Sequence, residues 1–302
     1  MRIAPIATSV PKAMEGMKVA LWDNFGVTTK GGKPLPGVVE TYHAMRSQGI
    51  EVFMVSNTAN LGIAPLHREF KEHGMPFPKG HIITSGMVLE PYFAEHDLIG
   101  KKVLCLGNRA TAHYVQKAQG ILLNHGNADK SILELAEQAE VVFIGWFPIL
   151  GRNQKNRLAT VALPPIQAAI KALKRPGVIG IVGNPDREVP QKDGTVLPGN
   201  GALAQAVQDA VGKDNELIWL GKPHLPIYKY VLGLPTVRDI PRDQIMMIGD
   251  SLEYDIEGAH NAGIHSLLVL TGNARLIDLL NEDLPDNQVP DFVAQGLVWA
   301  RS

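Results

Sequence analysis

The chain is short of several things, and each shortage closes off a class of function. It has one cysteine, Cys105, so no intramolecular disulfide can form. That thiol sits inside the apolar run "KVLCLG", which reads as a strand, and an inert core residue in a reducing compartment is expected. Net charge is -1, without the basic excess that general nucleic-acid or membrane-surface binding requires, so neither partner is expected. No run approaches the ~18 apolar residues needed to span a bilayer. Residues 1–18, "MRIAPIATSVPKAMEGMK", contain two prolines and no continuous apolar core of signal-peptide length, which predicts a cytoplasmic protein. The ten histidines show no H-E-x-x-H and no paired spacing, so a zinc site has little support.

What is present is a chain of 302 residues, 45% hydrophobic, enough for two domains with cores of their own. Strand-like runs recur, and most are followed by a helical pattern. "KVALWD" (18–23) leads to "GVVETYHAMRSQ" (37–48), where Val38, Tyr42, Met45 and Arg46 fall at helical spacing and Gly49 is a stop. "IEVFMVS" (50–56) precedes a helix near 64–73. Late in the chain, "QIMMIGD" (244–250) precedes "EYDIEGAHNAG" (253–263) and the strand "HSLLVLTG" (265–272). The middle repeats the rhythm with "KVLCLG", "EVVFIGW" (140–146) and "GVIGIVGN" (177–184), separated by helices near 109–119 and 162–174. Alternation of this kind predicts α/β architecture, a doubly wound parallel sheet. The reading is one α/β domain, residues 86–215, inserted into a core of residues 1–85 and 216–302, with "LIWLG" (217–221) resuming the core strands.

The chemistry lies at strand ends. Asp23 ends the first strand. Ser56, Asn57 and Thr58 end another. Lys222 follows "IWLG", with Pro223 placed to enter the first turn of a helix over 224–232. Asp250 and Ser251 end "MMIGD", with Asp255 five residues on. The carboxyl ends of parallel strands share one edge, so these groups can converge. The mixture fits phosphoryl transfer: a carboxylate to attack phosphorus, a hydroxyl to hold phosphoryl oxygens, and a lysine to neutralise charge. Further acids would hold Mg²⁺, without which two carboxylates and a phosphate would repel strongly.

In this order the four segments resemble the motifs of the haloacid dehalogenase-like (HAD) hydrolase superfamily. "GKP" at 221–223, "GDSLEYDIEGAHNAG" at 249–263 and "NPDREVP" with "LPGNGALAQAV" at 184–207 resemble its class IIA branch of 4-nitrophenylphosphatase and sugar-phosphatase-like proteins. The resemblance implies a Rossmann-like core with an inserted α/β cap domain and Mg²⁺-dependent hydrolysis of a small phosphorylated metabolite. Asp23 would be nucleophile and metal ligand, and Lys222 would bridge nucleophile and phosphate. The backbone carbonyl of Phe25 and the side chain of Asp250 would complete the metal set, with Ser251 and Asp255 in its outer shell. Ser56 and Asn57 would hold the phosphoryl group and Asp186 would be a cap contact with substrate. Cap-mediated dimers are common in the branch, so the resemblance admits a homodimer. One position departs: the family's phosphatases carry a second Asp two residues after the nucleophile, as general acid and base, and here Phe25 stands there. A general acid or base contributes ~10²–10⁴-fold. The rival reading is therefore a phosphate-ligand-binding relative with little or no turnover.

Blander readings stand beside these. Singly, Asp23 reads as a turn residue, Ser56–Thr58 as a cap cluster and Ser251 as a helix cap; joint occurrence at strand ends favours the functional reading. "GNGALA" (199–204) matches a dinucleotide pattern but follows only "TVLP", so a helix start is expected. "GDSL" spells an esterase motif, but no histidine follows residue 265 to serve Ser251. Trp22, Phe25, Trp146, Phe147 and Trp219 are assigned to packing, with Trp146–Phe147 also a candidate substrate wall. Arg152, Lys155 and Arg157 read as a solvated loop.

Overall fold

The computed structural model describes residues 5–125, 131–146, 149–150, 160–161, 163–190, 195–213 and 215–300. Twelve strands form its two larger sheets: β1 (Ile6–Ala7), β2 (Val19–Trp22), β3 (Glu51–Ser56), β4 (Ile82–Thr84), β5 (Lys102–Leu106), β6 (Ile121–Leu122), β7 (Val141–Ile144), β8 (Ile179–Val182), β9 (Ile218–Trp219), β10 (Ile245–Gly249), β11 (His265–Val269) and β12 (Phe292–Ala294). A seven-stranded sheet runs β1-β12-β11-β10-β2-β3-β4, and a five-stranded sheet runs β9-β8-β7-β5-β6. The chain divides into two compact units, Met1–Ser56 with Ile63–Ile83 and Lys222–Ser302, and Asn57–Gly62 with Thr84–Gly221.

In the first unit the central strand β10 is buried along its whole length and pairs in parallel with β2 and β11. A strand covered on both faces must be apolar throughout, which is why "IMMIG" shows no alternation. Each such side chain removed from water contributes roughly 1.5–3 kcal/mol. Helix α1 (Val38–Ser47) buries Val38, Tyr42 and Met45, whereas Arg46 turns outward and pairs with Glu51 at 2.5 Å. Helix α2 (Ile63–Glu72) buries Leu66 and Phe70. The register places the strand ends: Trp22 lies opposite Ile248 on one side and Met54 on the other. Asp23, Asp250 and Ser56 therefore leave the sheet along the same edge.

The second unit is built around β5, β7, β8 and β9, paired in parallel, with β6 at the far edge. Helices α3 (Arg109–Lys117), α4 (Leu163–Leu173) and α5 (Asn200–Val211) follow the expected positions. Asn108 caps α3 by accepting the Thr111 N–H at 3.0 Å. Cys105 is 1% exposed on β5. The "GNGALA" segment is the start of α5, and its Gly201 has no room for a side chain because a Cβ would meet the Pro185 carbonyl oxygen at 1.9 Å.

Three expectations are corrected. "LIWLG" does not resume the core sheet: β9 pairs with β8, Ile218 opposite Ile181, and Trp219 packs on the second unit's apolar cluster. An apolar run predicts a strand without saying which neighbour it joins. The helix after Lys222, α6, spans Leu225–Leu232 with His224 as its cap, so the proline in its first turn is Pro226, while Pro223 lies outside it. Phe25 is no core residue, being 58% exposed, although Trp22 is fully buried. Phe147, Arg152, Lys155 and Arg157 lie outside the described residues.

Candidate active site

The first unit gathers its charges at the edge where β2, β3 and β10 end. The Asp23 N–H donates to the Ile248 carbonyl at 2.9 Å, extending the β2–β10 ladder by one residue, so the side chain of Asp23 is held by the sheet itself. Lys222 Nζ donates to Asp23 Oδ1 at 2.5 Å and to Asp255 Oδ1 at 2.7 Å, with the lysine side chain 2% exposed. Asp255 Oδ2 accepts the backbone N–H groups of Asp250 and Ser251, each at 3.1 Å. Asp255 thus ties the β10 terminus to the lysine. Gly249 makes this approach feasible, since a Cβ there would meet the Asp255 carboxyl carbon at 2.2 Å. Ser251 Oγ accepts the Tyr254 N–H at 3.2 Å, opening the helical turn Leu252–Ile256 that runs into α7 (Glu257–Ala262).

Asp250 is held from the other side by the loop after β11. The Asn273 N–H donates to Asp250 Oδ2 at 2.7 Å and the Ala274 N–H to the Asp250 carbonyl at 2.9 Å. Gly26, at φ +84°, closes over the same carboxylate; a Cβ there would lie 2.3 Å from Asp250 Oδ2. The turn after Asp23 spends its carbonyls in a telling way. Asp23 O accepts the Thr28 hydroxyl, Asn24 O accepts the Thr28 and Thr29 N–H groups, and Gly26 O accepts the Thr271 hydroxyl. Among the described residues only the Phe25 carbonyl of these four accepts no hydrogen bond.

The electrostatics are those of a site short of positive charge. Burial, opposed by Lys222, raises Asp23 to about 7. Burial, reinforced by Asp23 and Asp255, raises Asp250 to about 8. Burial alone would lower Lys222, but Asp23 and Asp255 outweigh it and hold the ammonium above its ordinary range. Carboxylate oxygens of Asp23, Asp250 and Asp255 lie within 4.8 Å of one another. One lysine cannot balance three clustered acids, two of them buried. A hard cation with oxygen ligands fits this donor set, the more so because the Phe25 carbonyl is left without a donor.

The other predicted residues divide. Ser56 ends β3, 3% exposed, on the same sheet edge. Asn57 and Asp186 meet in the second unit, where the Asn57 amide donates to Asp186 Oδ1 at 2.8 Å. His260 is exposed on α7, in keeping with the rejection of a serine-esterase reading. Sequence reasoning missed the Lys222–Asp255 pair, Gly26 and the whole 271–274 loop. The only sequence signal for that loop is "TGN" directly after an apolar strand, a pattern common to ordinary turns.

The fold and this cluster define a HAD-type hydrolase, and comparison with known proteins agrees. A haloacid dehalogenase-like hydrolase family matches residues 20–121, and a HAD-hydrolase-like family matches residues 219–300. The chain belongs to the haloacid dehalogenase-like hydrolases. It is 27% identical over 282 residues to 4-nitrophenylphosphatase of Schizosaccharomyces pombe, covering 92% of this chain and 91% of that one. It is 25% identical over 302 residues to human glycerol-3-phosphate phosphatase, covering 92% and 88%. Among solved structures, a possible sugar phosphatase from Cytophaga hutchinsonii superposes with a TM-score of 0.80 at 22% identity, over 99% of this chain and 100% of that one, and shares the fold.

Proposed function

We propose that the protein hydrolyses a small phosphate monoester in a Mg²⁺-dependent reaction that passes through an aspartyl-phosphate on Asp23. Support comes from the relatives, which are named as phosphatases, and above all from one observation: Asp23, Asp250 and Asp255 bring carboxylate oxygens within 4.8 Å of one another, and Lys222 donates to two of the three. In this reading Asp23, Asp250 and the Phe25 carbonyl hold the cation. Bound there, Mg²⁺ supplies charge neutralisation for the carboxylates and for the phosphoryl oxygens.

The chain's own residues do the rest. An Asp23 carboxylate oxygen attacks phosphorus, a phosphorus–oxygen bond to the leaving group breaks, and the electron pair departs with that oxygen. Lys222 holds Asp23 ionised and in place. Ser56, on the same sheet edge as Asp23, holds phosphoryl oxygens; within the second unit, Asp186 accepts a hydrogen bond from the Asn57 amide. Asp255 acts through Lys222 and the two N–H groups it accepts. Water then attacks phosphorus, the bond from phosphorus to the Asp23 oxygen breaks, the electron pair returns to the Asp23 carboxylate, and inorganic phosphate leaves with the proton from water passing to solvent. Phe25 cannot hand a proton to the leaving oxygen, so turnover depends on how well that oxygen carries negative charge.

The test is phosphate release from a panel of monoesters with and without Mg²⁺, beside Asp23→Asn. Metal-dependent release abolished in the variant is expected. Saturable binding of Mg²⁺ and inorganic phosphate with no release from any monoester would replace this reading with the binding-protein alternative.

A further inference from the structure

We infer that Thr271 is a positioning residue for the cation site. The inference rests on the metal reading above and adds a loop that none of the sequence motifs contains. Thr271 Oγ1 donates to the Gly26 carbonyl at 2.5 Å. The Gly26 N–H donates to the Thr29 carbonyl at 2.8 Å. That N–H shares a rigid peptide plane with the Phe25 carbonyl, so the direction of the one sets the direction of the other. Residue 26 is at φ +84°, a conformation glycine holds without a side-chain penalty but also without a side chain to steady it. The Gly26 carbonyl lies in the next peptide plane, so the Thr271 hydroxyl fixes the far side of the Gly26 Cα while the Gly26 N–H bond to Thr29 fixes the plane that carries the Phe25 carbonyl.

The same loop reaches the other proposed ligand. Two residues beyond Thr271, the Asn273 N–H takes one oxygen of Asp250, at 2.7 Å. Between them Gly272 passes so near that a Cβ would lie 1.8 Å from Asp250 Oδ2. Lys30 Nζ, from the hairpin Thr29–Pro34, donates to the Thr271 carbonyl at 3.1 Å and ties the far side of the loop to the segment after Asp23. Loop 271–274 therefore spans the two strand ends, β2 and β10, from which the ligands come. Partners of this kind typically govern metal affinity by about 10–100-fold.

The experiment is a Mg²⁺ titration by calorimetry on wild type, Thr271→Val, Thr271→Ser and Gly272→Ala, with thermal melts beside it. Thr271→Val keeps the shape and deletes the hydroxyl; about tenfold weaker Mg²⁺ binding is expected. Thr271→Ser restores the hydroxyl and should bind within about twofold of wild type. Gly272→Ala pushes a methyl into Asp250 and should weaken binding on its own, which keeps the inference testable if Thr271→Val does not fold. Wild-type affinity in Thr271→Val, or a serine variant as weak as the valine one, overturns the role of Thr271 alone. Wild-type protein that takes up no Mg²⁺, or takes it up equally after Asp250→Asn, overturns the metal reading and this inference with it.

Discussion

Lys222 Nζ and Asp255 Oδ1 lie 2.7 Å apart with both side chains 2% exposed, although 33 residues separate them in the chain. The pair is buried, and the lysine also serves Asp23, so its removal strands two carboxylates rather than one. Breaking a buried pair from one side costs about 3–5 kcal/mol. Lys222→Met should lose stability of that order in urea denaturation. Adding Asp255→Asn to it should recover part of the loss, because the second substitution removes one of the stranded charges. A double variant no more stable than Lys222→Met would mean that the two side chains are not energetically coupled.

Phe25→Asp puts a carboxyl group where the family's phosphatases carry one. The side chain is 58% exposed, so the substitution should change stability by less than about 0.5 kcal/mol. Alkyl phosphates, whose leaving oxygens need a proton, should be hydrolysed about 10²-fold faster, with a much smaller gain for an aryl phosphate. The readout is the ratio of kcat/KM for the two esters. Equal effects on both esters would show that position 25 does not govern leaving-group protonation.

Asp23 and Asp250, at about 7 and about 8, are raised above the 3.8 of an unfolded aspartate. Groups shifted in this direction bind more protons folded than unfolded, so their contribution is complete below pH 3.8 and disappears as the pH climbs through 7–8. Metal-free protein should therefore melt several degrees lower at pH 8.5 than at pH 5.5. Saturating Mg²⁺ should reverse most of that loss, since the cation binds the ionised carboxylates. Thermal melts across pH, with and without EDTA, decide it.

Burial lifts the Cys105 thiol to about 12. At pH 8 it stays protonated, and it is 1% exposed, so an aromatic disulfide reagent should find no reactive thiol in native protein and one in urea. Fast reaction of folded protein would contradict the placement of β5.

Much of this protein is legible in its sequence. Apolar runs ending in Asp23, Ser56 and Asp250 identify strands and their carboxyl ends, because a strand buried on both faces leaves no polar position until it stops. The resemblance of "GDSLEYD" to a family motif likewise marks Asp255 as an outer-shell residue near Asp250. What the pattern does not carry is which sheet a short strand joins. Nothing in "LIWLG" distinguishes a partner in β8 from one in the core, and nothing local shows that the Lys222 side chain meets Asp23, 199 residues earlier.

Composition and periodicity by themselves determined an α/β chain with a carboxylate-rich strand edge, since local hydrophobicity dictates which residues must leave water. Only the tertiary structure decided that Lys222 sits between Asp23 and Asp255, that among the described residues the Phe25 carbonyl is the one of residues 23–26 that accepts no hydrogen bond, and that Thr271 steadies its neighbour. Those relations join residues up to 245 positions apart, and hydrogen-bond geometry at that separation is set by sheet register and loop path, which no local pattern encodes.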